Sequence, residues 1–192
     1  MSETIHPRRT TTSAALERHF ATLAEQRRHH LPELVRLAPS LAWRRPADGQ
    51  WSAGEWLEHI WRTIRVQRIL TQMYVPVASK FAALFRNRPY ETDVPDLFEA
   101  QPDSIPGPLL PFLKPKHGPS NPLPLHILAD RLEAEASILR ATLDIDERTA
   151  GHIVYWDGPF GRLNVLQSIQ VIGFHEANDF KHISEVLRTV AR

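Results

Sequence analysis

Trp51-Ser52-Ala53-Gly54-Glu55-Trp56-Leu57-Glu58-His59-Ile60 reads as the opening of a helix. Ser52 is placed to cap the first turn, and Glu55, three residues on, to reach back and complete a capping box. Trp51 before the cap and Trp56 in the second turn suit a hydrophobic staple across the entry. The helix is expected to run to about residue 75, stopped or kinked by Pro76, with a weaker helical patch over 77–85 that would continue it.

Working outward, the prolines set the organisation. Ten of the sixteen fall between Pro89 and Pro124, a density that forbids a long helix there, since each interior proline costs about 3 kcal/mol. Three further segments carry helical periodicity. The first, near 13–37, has Leu16, Phe20, Leu23, Leu31 and Leu34 as apolar marks, with Pro32 a break or kink. Its Arg27-Arg28-His29-His30 cluster reads as a solvated face. Another, near 124–143, starts at Pro124 and carries Leu125, Leu128, Leu132, Leu139 and Leu143 on one face, with Glu133 and Glu135 pointing elsewhere. The last, near 163–190, follows the loop Trp156-Asp157-Gly158-Pro159-Phe160-Gly161. Residues 153–156 are the one plausible short strand. These segments predict an all-α four-helix bundle with a long Pro-rich connection between its second and third helices. Residues 13–192 form one domain and 1–12 a flexible tail. The apolar Leu97, Phe98, Leu109, Leu110, Phe112 and Leu113 are too many for a solvated linker, so the connection should lie over the bundle, as a pocket wall above His59 or a dimer surface.

Composition narrows the function. The chain has 192 residues, 42% of them hydrophobic, enough for a sizeable core. Its 23 basic and 22 acidic residues leave a net charge of +1 with no basic half, which argues against nucleic acid as a partner. The absence of cysteine removes disulfides, cysteine-ligated metals and a cysteine nucleophile together, so thiol chemistry would need an external thiol. No apolar run reaches the length of a membrane span and no secretory leader is recognisable, so a cytoplasmic location and no membrane partner are expected.

Of the ten histidines, most are unremarkable. His6 is in the tail, His29 and His30 in the charged face, His117 and His152 in loops, and His19 and His126 stand alone. His59, His175 and His182 have chemical neighbours. His175 and Asp179 are four residues apart and meet on one helical face; Asp179 and His182, three apart, also converge. Glu176 lies on another face. On an exposed helix this would be an ordinary His–Asp pair. In a bundle core, facing side chains build a metal site, and two imidazoles with one carboxylate suit zinc or iron(II). His175 and His182 are about 10.5 Å apart along the axis. The candidate sets are therefore His59, His175 and Asp179, or His59, Asp179 and His182.

Trp51-Ser52-x-x-Glu55-x-x-x-His59-Ile60 resembles the second-helix signature of the DinB/YfiT-like superfamily, W-S-x-x-E-x-x-x-H-L. Pro159-Phe160-Gly161 before a last helix bearing His175 is similar too. The family's closing pattern H-x-x-x-H-x-x-Q-I falls here on His175, Asp179, His182 and Ile183. The resemblance implies a four-helix bundle with a metal site of His59, His175 and Asp179, the aspartate replacing a histidine. It further implies zinc or nickel, with iron as an alternative, and a homodimer. The activity it implies is a metal-dependent transfer, hydrolysis or isomerisation on a small electrophile, with a low-molecular-weight thiol as possible co-substrate. Glu55, one turn from His59, is the candidate to orient or deprotonate the bound ligand, and His182 the candidate general base. The alternative function is a bundle without chemistry that serves as a ligand-binding or stress-associated interaction protein.

Overall fold

The computed structural model describes residues 13–47, 49–100, 110–157 and 160–192, without the side chains of Leu97 and Ala100. The predicted tail over 1–12, Leu109, and Gly158-Pro159 lie outside the described residues. The described chain is mostly helical, with one small two-stranded sheet.

Helix α1 spans Ala14–Leu34, its N-terminus capped by the Ser13 hydroxyl, which accepts from the Leu16 amide. Pro32 sits inside its last turn without ending it. A short helix α2, Pro39–Ala42, leads into Trp43. The capping box forms as expected at the start of helix α3, Ala53–Ala82, and the Trp51 and Trp56 rings meet with centroids 4.9 Å apart. Gly54 is required there: a Cβ would come within 2.7 Å of the Trp43 indole, whose own N–H donates to the Leu123 carbonyl.

Pro76 does not stop α3, which runs through Ala53–Ala82 and passes into a 3-10 turn over Ala83–Phe85. The proline forfeits one backbone bond on the exposed side. Val75, Ala78 and Ala82 meanwhile keep burying apolar surface on the inner side, which offsets the loss.

The connection carries a one-turn helix α4, Leu97–Ala100, and a 3-10 turn over Pro111–Leu113. Helix α5 covers Leu125–Thr142, with Pro124 as its N-cap residue. A short helix α6, Glu147–His152, capped by Asp146, was not evident in the sequence, and it places His152 in a helix rather than a loop. The expected lone strand is β1, Val154–Asp157, and it has an antiparallel partner, β2, Gly161–Asn164. Gly161 turns this hairpin with φ +74°, a conformation costly for other residues. Because 161–164 pair as a strand, helix α7 begins later than expected, at Val165, and runs to Val190 behind an Asn164–Gln167 capping box.

Most of the buried apolar residues form one cluster, with α3 packed along α5, and α1 and α3 along α7. Leu57, Ile60, Leu128, Leu132, Leu166 and Phe180 are among its fully buried members. Among the described residues no helix is long and apolar enough to cross a membrane.

The described parts of the connection lie over the helices, as their apolar content requires. Its first part is pinned to α7: the Asn164 amide donates to the Glu91 carbonyl, the Gln167 amide to the Asp93 carbonyl, and the Val94 N–H to the Gln170 side chain. Its second part is pinned to α3 through Glu58. The second anchorage brings it to the end of α3 that carries His59, while the first lies at the start of α7, which faces Gln67 of α3.

One expectation about α1 is overturned. Arg27 is buried rather than solvated, and forms two 2.8 Å bonds to the buried Glu176 carboxylate of α7. His30 likewise turns inward and stacks on Phe180, with centroids 4.4 Å apart. Sequence spacing put Arg27 among charged neighbours but could not show that α7 offers a carboxylate opposite it.

Candidate metal centre

His59 lies in the second turn of α3, whose N-terminal turns are buried nearly all round. His175 and Asp179 lie one turn apart in the middle of α7, and the packing of α3 along α7 brings all three together. His59 Nε2 is 3.4 Å from His175 Nε2 and 3.8 Å from Asp179 Oδ2; His175 Nδ1 is 3.3 Å from the same oxygen. One ligand atom from each residue falls within 4.8 Å of the others, so the three could hold a metal ion. The two short His175 separations involve different ring nitrogens, and donors about 2.0–2.1 Å from a tetrahedral ion lie about 3.3 Å from each other, so with one His175 nitrogen as ligand the set would have to contract from within 4.8 Å.

His59 and Asp179 are buried; the His175 side chain is about a quarter exposed, at 26%. The alternative of a solvent-exposed His–Asp pair is therefore excluded by position. Asp179 Oδ2 accepts no hydrogen bond although it is buried. Leaving such an oxygen unpaired costs roughly 1–3 kcal/mol or more, and a cation at the centre of the triad would remove that cost.

Electrostatics favour neutral imidazoles. Burial lowers the His59 pKa, partly offset by its hydrogen bond to Leu113. Burial also lowers that of His175, helped by the neighbouring His59 and His182. Burial, with the nearby Glu176 charge, raises the Asp179 carboxyl well above the usual range. Two imidazoles with free lone pairs and a carboxyl that would exchange its proton for a cation make a donor set suited to a divalent ion.

The surroundings orient the ligands. The Leu113 carbonyl lies 2.9 Å from His59 Nδ1; the ring donates there and leaves Nε2 facing the cluster. Phe98 approaches His175 edge-on at 5.7 Å and is itself 5.6 Å from Phe160, ring to ring. These aromatics flank the partly exposed side of the site.

His182 does not join the triad, which resolves the two candidate sets in favour of His59, His175 and Asp179. Its ring stacks on Trp56 at 4.7 Å, accepts from the Asn178 amide at 3.3 Å and lies 3.5 Å from Glu185. With Trp51, Trp56, Glu185 and Thr189 it lines a cavity of about 510 Å³ beside the triad, separated from it by the tryptophans. Glu55 is fully occupied elsewhere. Its carboxylate accepts from the Ser52 N–H at 2.9 Å, the Ser52 hydroxyl at 2.8 Å and the Arg45 guanidinium. Burial pushes its pKa up, but Arg45 and Ser52 together hold it below the usual carboxylate range, which makes it a poor proton acceptor.

Sequence reasoning missed Glu58 and placed His117 in a loop without a role. Glu58 is fully buried and accepts from the Lys116 N–H at 3.0 Å, the His117 N–H at 2.9 Å and Arg62 Nε at 2.8 Å, with His117 Nδ1 at 3.1 Å. It ties residues 116–117 to α3 one position before His59, and so sets where the Leu113 carbonyl falls. The only trace in the sequence is the Glu58–Arg62 spacing of four, which any exposed helical ion pair shares.

No protein-family model, no curated protein and no solved structure matches the chain.

Proposed function

We propose that this chain is a metal-dependent enzyme, built as a four-helix bundle of the DinB/YfiT-like type from α1, α3, α5 and α7, that acts on a small electrophile. One observation carries the reading: His59, His175 and Asp179 converge from two helices around a buried carboxylate oxygen that lies close to both rings and accepts no hydrogen bond. A divalent ion bound there, zinc or nickel first and iron(II) as the alternative, supplies Lewis acidity, acidifying an external thiol or a water and polarising the electrophile.

The chain's own residues prepare and use that site. His59 presents Nε2 because Leu113 takes its Nδ1–H. Asp179 contributes one negative charge, so the filled site carries less positive charge than three histidines would give it. Phe98 and Phe160 limit water on the His175 side. His182 is partly exposed on the wall of the neighbouring cavity, on the far side of the tryptophans, and would accept a proton from an incoming thiol or water there rather than at the triad itself.

The test is elemental analysis of protein purified without a histidine tag, followed by turnover assays. Low-molecular-weight thiols would be screened with electrophiles such as monochlorobimane, with and without added zinc, nickel and iron. The expected result is about one ion per chain, lost in His59→Ala together with turnover. A chain that stays metal-free after supplementation would overturn the reading in favour of a non-catalytic binding or interaction protein.

A further inference from the structure

We propose that the cavity between the start of α3 and the end of α7 is a binding site for a primary ammonium ion carried on an apolar body, such as an arylalkylamine. This goes beyond the metal-site reading and does not rest on it, since Trp51 and Trp56 stand between the cavity and the triad.

The cavity measures about 510 Å³, within the range of small-molecule sites. Its apolar wall is largely aromatic. The Trp51 and Trp56 rings, 4.9 Å apart and inclined at 67°, make a corner, with Pro46 and Val186 beside them. That wall offers a ligand's body a place out of water.

Three features give the cavity one electrostatic sign. Glu185 is the only acid that lines it among the described residues, and no lysine or arginine does. Its carboxylate is 62% exposed, and the ion-pair partner it has is the His182 ring, 3.5 Å away; Lys181 and Arg188 of the same helix do not reach it. Secondly, Glu185 and Thr189 lie in the last two turns of α7, which ends at Val190, where the helix dipole places partial negative charge. Thirdly, the faces of indole rings are negative and attract cations. The opposing positive end, the N-terminus of α3, is already offset by the Glu55 carboxylate of the capping box. The cavity therefore favours a cation and disfavours an anion.

The polar atoms select a primary ammonium among cations. The Glu185 carboxylate, the Gln50 side-chain carbonyl and the Thr189 hydroxyl oxygen, whose own proton goes to the Glu185 carbonyl at 3.0 Å, are acceptors. A primary ammonium brings three N–H donors to them. A quaternary ammonium brings none and would depend on the indoles alone, which here form a corner and not a cage.

The test is a titration of the ¹⁵N-labelled full-length protein with phenethylamine near neutral pH, followed through its five indole N–H signals, assigned by single Trp→Phe replacements. The signals of Trp51 and Trp56 should shift saturably, with a Kd on the order of 1 mM or below. Phenethyl alcohol, the neutral analogue, should bind at least about tenfold more weakly, the trimethylammonium analogue about fivefold more weakly, and 3-phenylpropanoate not measurably. Because Glu185 is largely exposed, Glu185→Gln should weaken binding only about three- to fivefold and Glu185→Lys about tenfold or more, both with unchanged circular dichroism. Binding should be the same in chelator-treated and in zinc-supplemented protein. The proposal is overturned by an alcohol or a carboxylate that binds as well as the amine, by a quaternary analogue that binds more tightly, or by a Glu185→Lys protein that binds like the wild type. A requirement for zinc would move the site to the metal centre and overturn it too. So would shifts confined to Trp156, the most exposed indole at 77%, which would mark adventitious contact.

Discussion

Replacing Glu58 tests whether the metal centre depends on the anchoring of the connection. The carboxylate is fully buried and accepts two backbone amides of the connection and the guanidinium of Arg62, whose side chain is itself largely buried. Hydrogen bonds to a charged group are worth about 1.5–3 kcal/mol each, and a buried charge left without its partner costs about 3–5 kcal/mol. Water would enter and recover part of this, so Glu58→Ala should cost about 4 kcal/mol. In a domain of this size that lowers Tm by about 8–16 °C. Glu58→Gln, which sets an amide N–H₂ against existing donors, should fall between. The second readout is local. If residues 113–117 come away, Leu113 no longer fixes the His59 ring, and zinc affinity should drop about 10–100-fold. Calorimetric unfolding, zinc titration against a competing chelator, and hydrogen exchange at the amides of Lys116 and His117 measure the three consequences. A Tm loss below about 2 °C would refute the energetic reasoning. Full stability loss with unchanged zinc affinity would refute the link from Glu58 to His59. The pH dependence has a definite sign. Burial raises the Glu58 pKa, but the Lys116 and His117 amides and Arg62 together hold it below the usual range. Its contribution is thus present above the ordinary carboxylate pKa and is lost as pH falls through the folded value, so the variant's deficit should shrink in acid.

Other outcomes follow from the same geometry. Asp179→Asn should stabilise the metal-free protein at pH 8, by about 1–3 kcal/mol, because the carboxyl's raised pKa means that the fold disfavours its charge above the ordinary carboxylate pKa. The same change should weaken zinc binding by at least about tenfold, and a metal-free wild type more stable than the variant would contradict the assignment. In the pH range where the metal-free Asp179 carboxyl is protonated, a range its burial extends upward, zinc binding should release its proton, seen as a dependence of calorimetric heat on buffer ionisation enthalpy that disappears in Asp179→Asn. Arg27→Met should cost about 3–5 kcal/mol by stranding Glu176, and the double change Arg27→Met/Glu176→Leu should recover most of it in urea unfolding. In metal-free protein the lowered His59 and His175 pKa values make the unfolded state the stronger proton binder, so their contribution to stability falls as pH drops through about 6.5.

The sequence displayed what depends on neighbours along the chain. The Ser52–Glu55 box, the Trp51–Trp56 contact and the His175–Asp179 spacing are local, and each is found where spacing put it. The fate of Pro76 was not local: whether a helix survives a proline depends on what its other face buries, and Val75, Ala78 and Ala82 supply that burial only after α3 is packed. Arg27 and Glu176 are 149 residues apart and Glu58 and His117 are 59 apart, so neither pair leaves a mark in spacing. The hairpin was half visible for a related reason. Tyr155 and Trp156 advertise a strand, while Gly161-Arg162-Leu163-Asn164 has the composition of a loop and becomes a strand through its pairing.

The aspartate of the triad has a physical consequence that a third histidine would not. Three neutral imidazoles leave an empty site uncharged and tolerable in a buried setting, whereas Asp179 brings an ionisable carboxyl beside Glu176, whose own charge Arg27 already offsets. Without a cation burial disfavours the charged carboxylate, and one of its oxygens accepts no hydrogen bond although it lies 3.3 Å from His175 Nδ1. With one, the carboxylate is formed and the net charge of ion plus ligands falls from two to one. Occupancy of this site should therefore be coupled to stability more strongly than in an all-histidine site, since the ion both fills the gap and relieves the buried acid. The measurable form is the zinc-induced rise in Tm, compared between wild type and Asp179→His at matched saturation. The aspartate protein should show the larger rise, because its metal-free state is the more strained. An equal or smaller rise in the wild type would mean that the buried carboxyl is satisfied by some other route, and that the empty cluster is already a comfortable ground state.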